Sequence, residues 1–336
     1  MKGKDDMNTT WMRLVLGLLL LSLWWPRCVA TGGEPQDGTN RLVLHPVPQG
    51  VSGSGLRLLP ETQEMTDGDA LPLYVKAVEM LPKDLDWAKI KGWRQIPLKE
   101  LPQDDIEAVL RPFDASLPLL EQAGRCKRCD WPFALEGDAP ISLQACRNVV
   151  FLIALKARSQ LARGDYALCV RTLGTGFALA RHLGEGPTVV HVLVGAAICA
   201  VLCGEIELYV QQQDAPNLEA SLRAISMPFM NEEHSDLYGT DEATRNRARL
   251  VLKRANRHVI ALQYVETLRG YAATAGWWPE ALSELKPTLP DDPVTGKPFD
   301  YRQLTKTRAI LEGPVPEGGS AKDMIRYELN LQPKER

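Results

Sequence analysis

The chain has 336 residues, of which 45% are hydrophobic and 24% are charged, as in an ordinary globular protein. These proportions exclude a collagen-like chain, a wholly disordered chain and a membrane protein with many spans. With 39 Lys and Arg against 42 Asp and Glu, the net charge is -3. No overall positive field attracts nucleic acid, so nucleic acid is not an expected partner.

The first 30 residues have the pattern of a secretory signal peptide. Lys2, Lys4 and Arg13 precede an apolar stretch, residues 14–25, which is uncharged. As a helix it would span about 18 Å, which is short for a bilayer core of about 30 Å. Cys28-Val29-Ala30 then offers small residues to a signal peptidase, so we expect cleavage after Ala30 and an extracytoplasmic protein. The alternative is an uncleaved N-terminal helix that anchors the protein, which would then be its membrane contact.

Cleavage would change the charge and the cysteine count. It would remove four basic residues, two acidic residues and one of the seven cysteines. The remaining 306 residues would carry 35 basic and 40 acidic side chains, a net charge of -5, and six cysteines. An even number of cysteines suits a compartment in which disulfides form.

The rest of the chain divides by composition and by the period of its apolar residues. Residues 31–68 are rich in Gly, Pro, Ser and Thr, which predicts a flexible linker with room for one docked strand. Apolar residues at helical spacing predict helical hairpins over 69–240 and a long helix followed by a short one over 241–286. Asp241 is the predicted N-cap of the long helix, and Gly276 is its predicted stop. Alternation with period two predicts a small antiparallel sheet of two or three strands over 287–336. The predicted fold class is therefore mainly α, with a small C-terminal sheet.

A helical hairpin in the middle of the chain gives the strongest signal. Residues 142–163 and 166–183 have apolar residues at helical spacing and are separated by Gly164-Asp165. Two helices joined by so short a turn must pack face to face. The pattern resembles the tetratricopeptide unit of about 34 residues, in which hairpins stack on one another. Residues 189–204 are almost uncharged, which predicts a third helix buried on all sides.

Two stretches resemble known families. Residues 126–228 resemble a family of uncharacterised exported bacterial helical proteins, and the similarity rests on five short motifs. These are Cys-Asp-Trp at 129–131, Gly-Asp-Tyr at 164–166, Ala-Arg-His-Leu at 180–183, Glu-Gly-Pro-Thr at 185–188 and Ala-Pro-Asn-Leu at 215–218. This resemblance implies a helical fold and export, and it assigns no biochemical activity.

The second resemblance concerns the tail. The sequence LPDDPVTGKPFDYR, residues 289–302, is similar to the C-terminal hairpin of pseudopilin-like exported proteins. A pseudopilin needs its hydrophobic helix at its own start and continuous with its long helix. Here more than 200 residues separate Trp25 from Asp241. Only the turn geometry is therefore expected to carry over.

Three cysteines are candidates for a disulfide. Cys126 and Cys129 form the one tight pair, and either could bond to the other or to Cys146. A redox dithiol, with Lys127 and Arg128 favouring a thiolate, is the alternative. Cys199 and Cys203 lie one helical turn apart in an apolar helix, which favours buried free thiols.

The sequence indicates no catalytic, cofactor-binding or metal-binding set. The histidines are scattered, and no histidine pair has metal-binding spacing. His191 is predicted to be a core histidine. The basic face of the long helix, Arg245 to Arg257, is predicted to be solvated surface. Trp277 and Trp278 are predicted to clamp the helical body to the terminal sheet.

These observations favour a non-catalytic binding or scaffold module of the cell envelope with protein or peptide partners. Its binding groove would be lined by Arg158, Tyr166, Arg171 and Arg181 on the hairpin helices. One alternative is an envelope hydrolase whose His/Glu pair comes from His182, Glu185 or the cluster at 232–236. Another is a component of a secretion or pilus-like assembly, which only the tail suggests.

Overall fold

The structure, a computed structural model, describes residues 39–49, 55–133, 139–232, 241–316, 319 and 323–332. The predicted signal peptide lies outside the described residues, as does most of the cluster at 232–236. The described part is mainly helical and carries a small sheet, as predicted. Apolar residues from the helices and from the sheet form one continuous hydrophobic core.

Eight α-helices make up the body of the described part of the chain. They are α1 (Leu71–Glu79), α2 (Trp87–Trp93), α3 (Gln103–Gly124), α4 (Leu143–Ala162), α5 (Tyr166–Gly184), α6 (Val189–Tyr209), α7 (Glu219–Arg223) and α8 (Glu242–Ala275). Helix α8 begins after Asp241, whose carboxylate accepts a hydrogen bond from the backbone N–H of Thr244 at 2.9 Å, and it ends at Gly276, whose φ is 84°. Both signals were predicted from the sequence, and the structure confirms them.

The predicted hairpin is α4 and α5, which pack against each other. Ser142 caps α4, and Gly164 turns the chain with a φ of 77° that suits glycine. Helix α6 packs against both α4 and α5 on one side and against α8 on the other, so nearly every residue of α6 is buried. It is long and apolar enough to cross a membrane, yet 78% of its most apolar stretch is buried inside the protein. The prediction that this helix is buried on all sides is confirmed.

Residues 287–336 contribute three antiparallel strands, as predicted, and a strand from the predicted linker joins them in parallel, so the described sheet has four strands and is mixed. The strands β1 (Asn40–Leu44), β4 (Asp300–Thr305), β5 (Arg308–Gly313) and β6 (Ile325–Leu331) lie in the order β1-β6-β5-β4. Strand β1 is parallel to β6, with Leu42 opposite Leu329, and the other pairs are antiparallel. The alternation of apolar residues could not predict that β1 pairs with β6, because the two strands lie near opposite ends of the chain. A separate parallel pair joins β2 (Thr66–Asp69) to β3 (Cys126–Arg128).

The chain between β1 and α1 crosses the helical body in close contact. The His45 carbonyl accepts a hydrogen bond from Arg269 of α8 at 3.2 Å, and the Leu56 carbonyl accepts one from Ser221 of α7. Leu58 is buried, and its backbone passes directly over Gly174 of α5. The predicted linker thus contains the docked strand for which its composition left room.

Gly174 is expected to be intolerant of even one added methyl group. A Cβ there would lie 2.5 Å from the Leu58 carbonyl oxygen, which is backbone and cannot rotate away. Gly174→Ala should therefore lower the free energy of unfolding by about 1 to 3 kcal/mol. Urea unfolding measures the loss. Gly92→Ala in α2 is the control, because its Cβ would meet nothing within 4 Å and alanine favours a helix. Equal stability of the two variants would contradict the close approach.

A buried arginine of α8 fixes the tail. Arg257 donates from Nε to Asp292 Oδ1 at 2.7 Å and from Nη2 to Asp292 Oδ2, and it also donates to the carbonyls of Gly313, Pro314 and Asp323. Asp292 belongs to the turn for which the sequence predicts hairpin geometry. Its backbone N–H donates to the Lys297 carbonyl, and its carboxylate accepts from Val294 N and Thr295 Oγ1.

Two surface predictions need correction. Arg257 was expected on the solvated basic face of the long helix, but it is 1% exposed because the tail folds over it. Trp278 is fully buried, and its backbone N–H donates to the Lys306 carbonyl, so the predicted clamp is confirmed for this residue. Trp277 is 44% exposed, with Lys306 Nζ 5.0 Å from its ring centre, so it is not part of the clamp.

Candidate functional site

Two clusters of buried polar side chains lie on the helices around α6, in addition to the buried ion pairs Arg257–Asp292 and Glu266–Arg269. We call the first the histidine cluster, formed by Tyr74, Trp131, His182 and His191. The second is the pair of glutamates on α6, Glu205 and Glu207. All six side chains are 7% exposed or less.

The geometry around His182 fixes its proton. Its Nε2 lies 3.0 Å from the Cys126 carbonyl oxygen, which can only accept, so Nε2 carries the hydrogen. Its Nδ1 then accepts from the Tyr74 hydroxyl at 2.9 Å. Arg181 Nη2, itself a donor, lies 3.3 Å from Nε2. The ring is thus held in one neutral tautomer beside a positive charge.

Trp131 links the two histidines. Its indole Nε1 donates to the His182 carbonyl at 2.8 Å, and its ring stacks on Tyr74 with centroids 6.2 Å apart. On the other side the ring lies 5.7 Å from that of His191. His191 stands in the first turn of α6 and shares a hydrogen bond of 2.7 Å between Nδ1 and the hydroxyl of Thr188, the N-cap. The cluster therefore joins α1, the segment after β3, the end of α5 and the start of α6.

Both histidines are neutral near pH 7. Burial lowers the pKa of His182 to about 4, and the charge of Arg181 acts in the same direction. Burial also lowers the pKa of His191 to about 4. The positive end of the helix dipole at the start of α6 further opposes a charge on His191. The prediction that His191 is a core histidine is confirmed.

Cys126, one of the three candidate disulfide cysteines, lies beside this cluster, with its carbonyl oxygen 3.0 Å from His182 Nε2. Cys126, Cys129 and Cys146 are all free thiols. Burial raises the pKa of Cys146 to about 12 and raises the pKa of Cys129 far above its ordinary value. Such thiols are poor nucleophiles, which disfavours a redox dithiol. The disulfide stays a prediction.

The basic residues between Cys126 and Cys129 do not favour a thiolate either. Lys127 Nζ lies 2.6 Å from Asp67 Oδ1, and Arg128 forms an ion pair with Asp130. Cys199 and Cys203 are buried free thiols, as predicted.

The two glutamates of α6 contact different partners, because residues two positions apart lie on different faces of a helix. Glu205 pairs with Arg94, at the end of α2, and with Arg158 of α4, at N–O distances of 3.2 Å and 3.3 Å. Glu207 Oε1 accepts from His258 Nε2 of α8 at 2.8 Å and from the Tyr327 hydroxyl of β6 at 2.6 Å. Glu207 therefore ties the sheet to the helices.

Comparison with family models, with curated proteins and with solved structures finds no match to this chain. The two resemblances stay predictions. The described residues contain no group of three or more His, Cys, Asp and Glu side chains placed to hold a metal ion.

The four groove candidates lie in different surroundings. Arg158 is buried against Glu205, and Arg181 donates to the carbonyls of Gly124 and Cys126. Arg171 is exposed and pairs with Glu121, while Tyr166 meets the ring of Tyr209 edge-on at 5.8 Å. Arg158 is therefore not a surface contact, whereas Arg171 is exposed and Tyr166 and Arg181 are half-buried.

The residues that the sequence reasoning missed are Arg94, Glu205, Glu207 and Tyr327. A signal for two of them was present: Glu205 and Glu207 are acidic residues of a helix that is otherwise almost uncharged. Carboxylates in such a helix must find donors inside the protein. Their partners come from distant parts of the chain, so no local pattern identifies them.

Proposed function

We propose that the chain is an exported cell-envelope protein that works without catalysis, as a helical module that binds or holds protein or peptide partners. Its hairpins, in this proposal, stack in the manner of tetratricopeptide repeats. The observation that carries it is the packing of α6 against both helices of the preceding α4–α5 hairpin. Stacked hairpins present extended surfaces that suit peptides and proteins.

The buried polar groups support a structural framework for such a surface. The histidine cluster joins four elements, and Glu207 joins α6 to α8 and to the sheet. Satisfied polar networks of this kind favour one arrangement of the elements over others. A rigid arrangement lowers the entropic cost of binding a partner.

One observation favours the alternative of a hydrolase. His258 and Glu207 form a hydrogen-bonded pair at 2.8 Å, which is the geometry of an acid/base pair. This pair differs from the candidates His182 and Glu185. The side chains are 4% and 7% exposed, so a substrate would reach them only after the sheet moved away. The binding module is therefore the better supported proposal.

The test uses the full chain with a C-terminal tag, produced in bacterial cells and cross-linked in the envelope. We expect the mature protein to begin at Thr31 by intact mass and to enrich specific envelope proteins. Arg171→Glu should reduce the enrichment, because this exposed arginine of α5 lies on the hairpin surface. Arg302→Glu, an exposed arginine of β4, is the matched control and should leave the enrichment unchanged.

Three results would argue against the proposal. Equal enrichment with all three proteins would show that the hairpin surface is not the contact. Hydrolysis of a panel of chromogenic esters and peptides by the wild type, lost on Glu207→Gln, would favour the enzyme instead. A protein that begins at Met1 in the soluble cytoplasm would overturn export.

A further inference from the structure

Two arginines and one glutamate are buried together where the end of α2 meets α4 and α6. The side chains of Arg94, Arg158 and Glu205 are 7%, 5% and 3% exposed. Glu205 divides its two oxygens between the arginines, with Oε1 3.2 Å from Arg94 Nη2 and Oε2 3.3 Å from Arg158 Nε. We call these three residues the arginine pocket.

The charges of the arginine pocket do not cancel. A guanidinium stays protonated in a protein, so two of them beside one carboxylate leave one positive charge. Cys169 lies within electrostatic range of Glu205, but burial raises the pKa of its thiol, so it adds no negative charge. Arg94 also lies over the ring of Phe151 at 5.2 Å, and Lys91 adds a further positive charge over the same ring at 5.3 Å.

Several donors of the arginine pocket have no acceptor among the residues that the structure describes. These are Arg94 Nε and the Nε and Nη1 of Arg158, all out of contact with the surface. Arg158 Nε is near Glu205 Oε2, but the angle is not that of a hydrogen bond. Buried charged donors without acceptors are costly, and an uncompensated buried charge is more so.

We propose that Arg94 and Arg158 bind one small monovalent anion, a halide or the carboxylate of a small acid, beside Glu205. One negative charge neutralises the pocket, whereas a dianion would reverse its sign. Guanidinium groups suit such a ligand, because their N–H groups converge on an anion with charge-assisted hydrogen bonds. This site is independent of the proposed binding of a protein partner, and either can fail without the other.

The test measures the thermal midpoint of unfolding of the full chain while chloride or formate replaces isethionate at constant ionic strength. Isethionate is the reference anion, because it is too bulky for a buried site. A ligand that binds only the folded state raises the midpoint with saturation. We expect a rise of about 3 °C that saturates. Saturation with chloride alone assigns a halide site, and saturation with formate alone assigns a carboxylate site. No saturable rise with either anion would overturn the proposal.

Single substitutions identify the residues responsible for the rise in the thermal midpoint. Arg158→Met should abolish the saturable rise, while Arg171→Met, which removes an exposed arginine of α5, should retain it. Glu205→Gln keeps the shape of the side chain and removes the competing negative charge, so the anion should bind about tenfold more tightly. If Arg158→Met does not fold, the anion affinity of Glu205→Gln tests the site in its place. Unchanged affinity in Glu205→Gln would contradict the site.

Crystals grown in bromide give a direct readout. An anomalous peak between Arg94 and Arg158 would support a halide in the pocket. Ordered water there, with bromide only at the surface, would overturn a halide site, and combined with no saturable effect of formate it would overturn the proposal.

Discussion

Arg257→Met is expected to lower the free energy of unfolding by about 3 to 5 kcal/mol, because the variant leaves Asp292 as a buried charge without its partner. The loss would also free the carbonyls of Gly313, Pro314 and Asp323, which accept hydrogen bonds from the same guanidinium. One side chain thus fixes both the hairpin turn and the end of β5 on α8. Few other single changes in the described residues would remove so many contacts.

Urea unfolding of the full chain measures this effect, and Arg308→Met is the matched control. Arg308 also pairs with a carboxylate, Glu328, but it is 52% exposed, and an exposed pair contributes about 0 to 1 kcal/mol. The double variant Arg257→Met with Asp292→Asn should recover part of the loss, because the buried charge is gone while the amide oxygen can still accept from Val294 N. A loss in Arg257→Met as small as that in Arg308→Met would show that the pair does not fix the tail.

The second large effect is a loss of stability on mild acidification. In the unfolded chain a histidine titrates near pH 6.5, whereas burial lowers the pKa of His182 and of His191 to about 4 in the folded protein. Between these values the unfolded state binds more protons than the folded state. Stability therefore falls as the pH drops from about 6.5 to 4, by about 3 kcal/mol per histidine when the titration is complete.

The free energy of unfolding measured by urea from pH 7.5 to 4.5 checks this dependence. His182→Gln keeps a polar side chain that cannot be protonated, so it should remove about half of the loss of stability on acidification, even if it is less stable at pH 7.5. His45→Gln, at a half-buried histidine outside the cluster, should keep the slope of the wild type. A wild type equally stable at pH 7 and pH 5 would contradict two buried neutral histidines.

The sequence predicted the elements whose signals are local. Helix α6 was expected to be buried because it is almost uncharged, and the ends of α8 were expected from Asp241 and Gly276. The predicted hairpin of α4 and α5 was also local, since its turn is only three residues long. These predictions needed only the period of the apolar residues and the chemistry of the helix ends.

The sequence could not predict contacts that depend on which elements meet. Arg257 has the same neighbours in sequence as a surface arginine, and only the return of the tail buries it. His182 was considered as a general acid or base, but burial among distant elements and the charge of Arg181 keep it neutral. The four groove candidates came from the two helices of the predicted hairpin. Arg158 is buried instead of lining a surface, because it pairs with Glu205 of α6 inside the protein.

The parallel pairing of β1 with β6 sets an order of assembly. Strand β1 precedes every described helix, and β6 follows all of them, so the ribosome releases β1 long before its partner. Leu42 and Leu44 stay without their strand neighbours until Leu329 and Leu331 have been made. The sheet therefore closes only when synthesis has passed β6, and until then the polypeptide remains incompletely folded, a state that can still be threaded through a narrow channel.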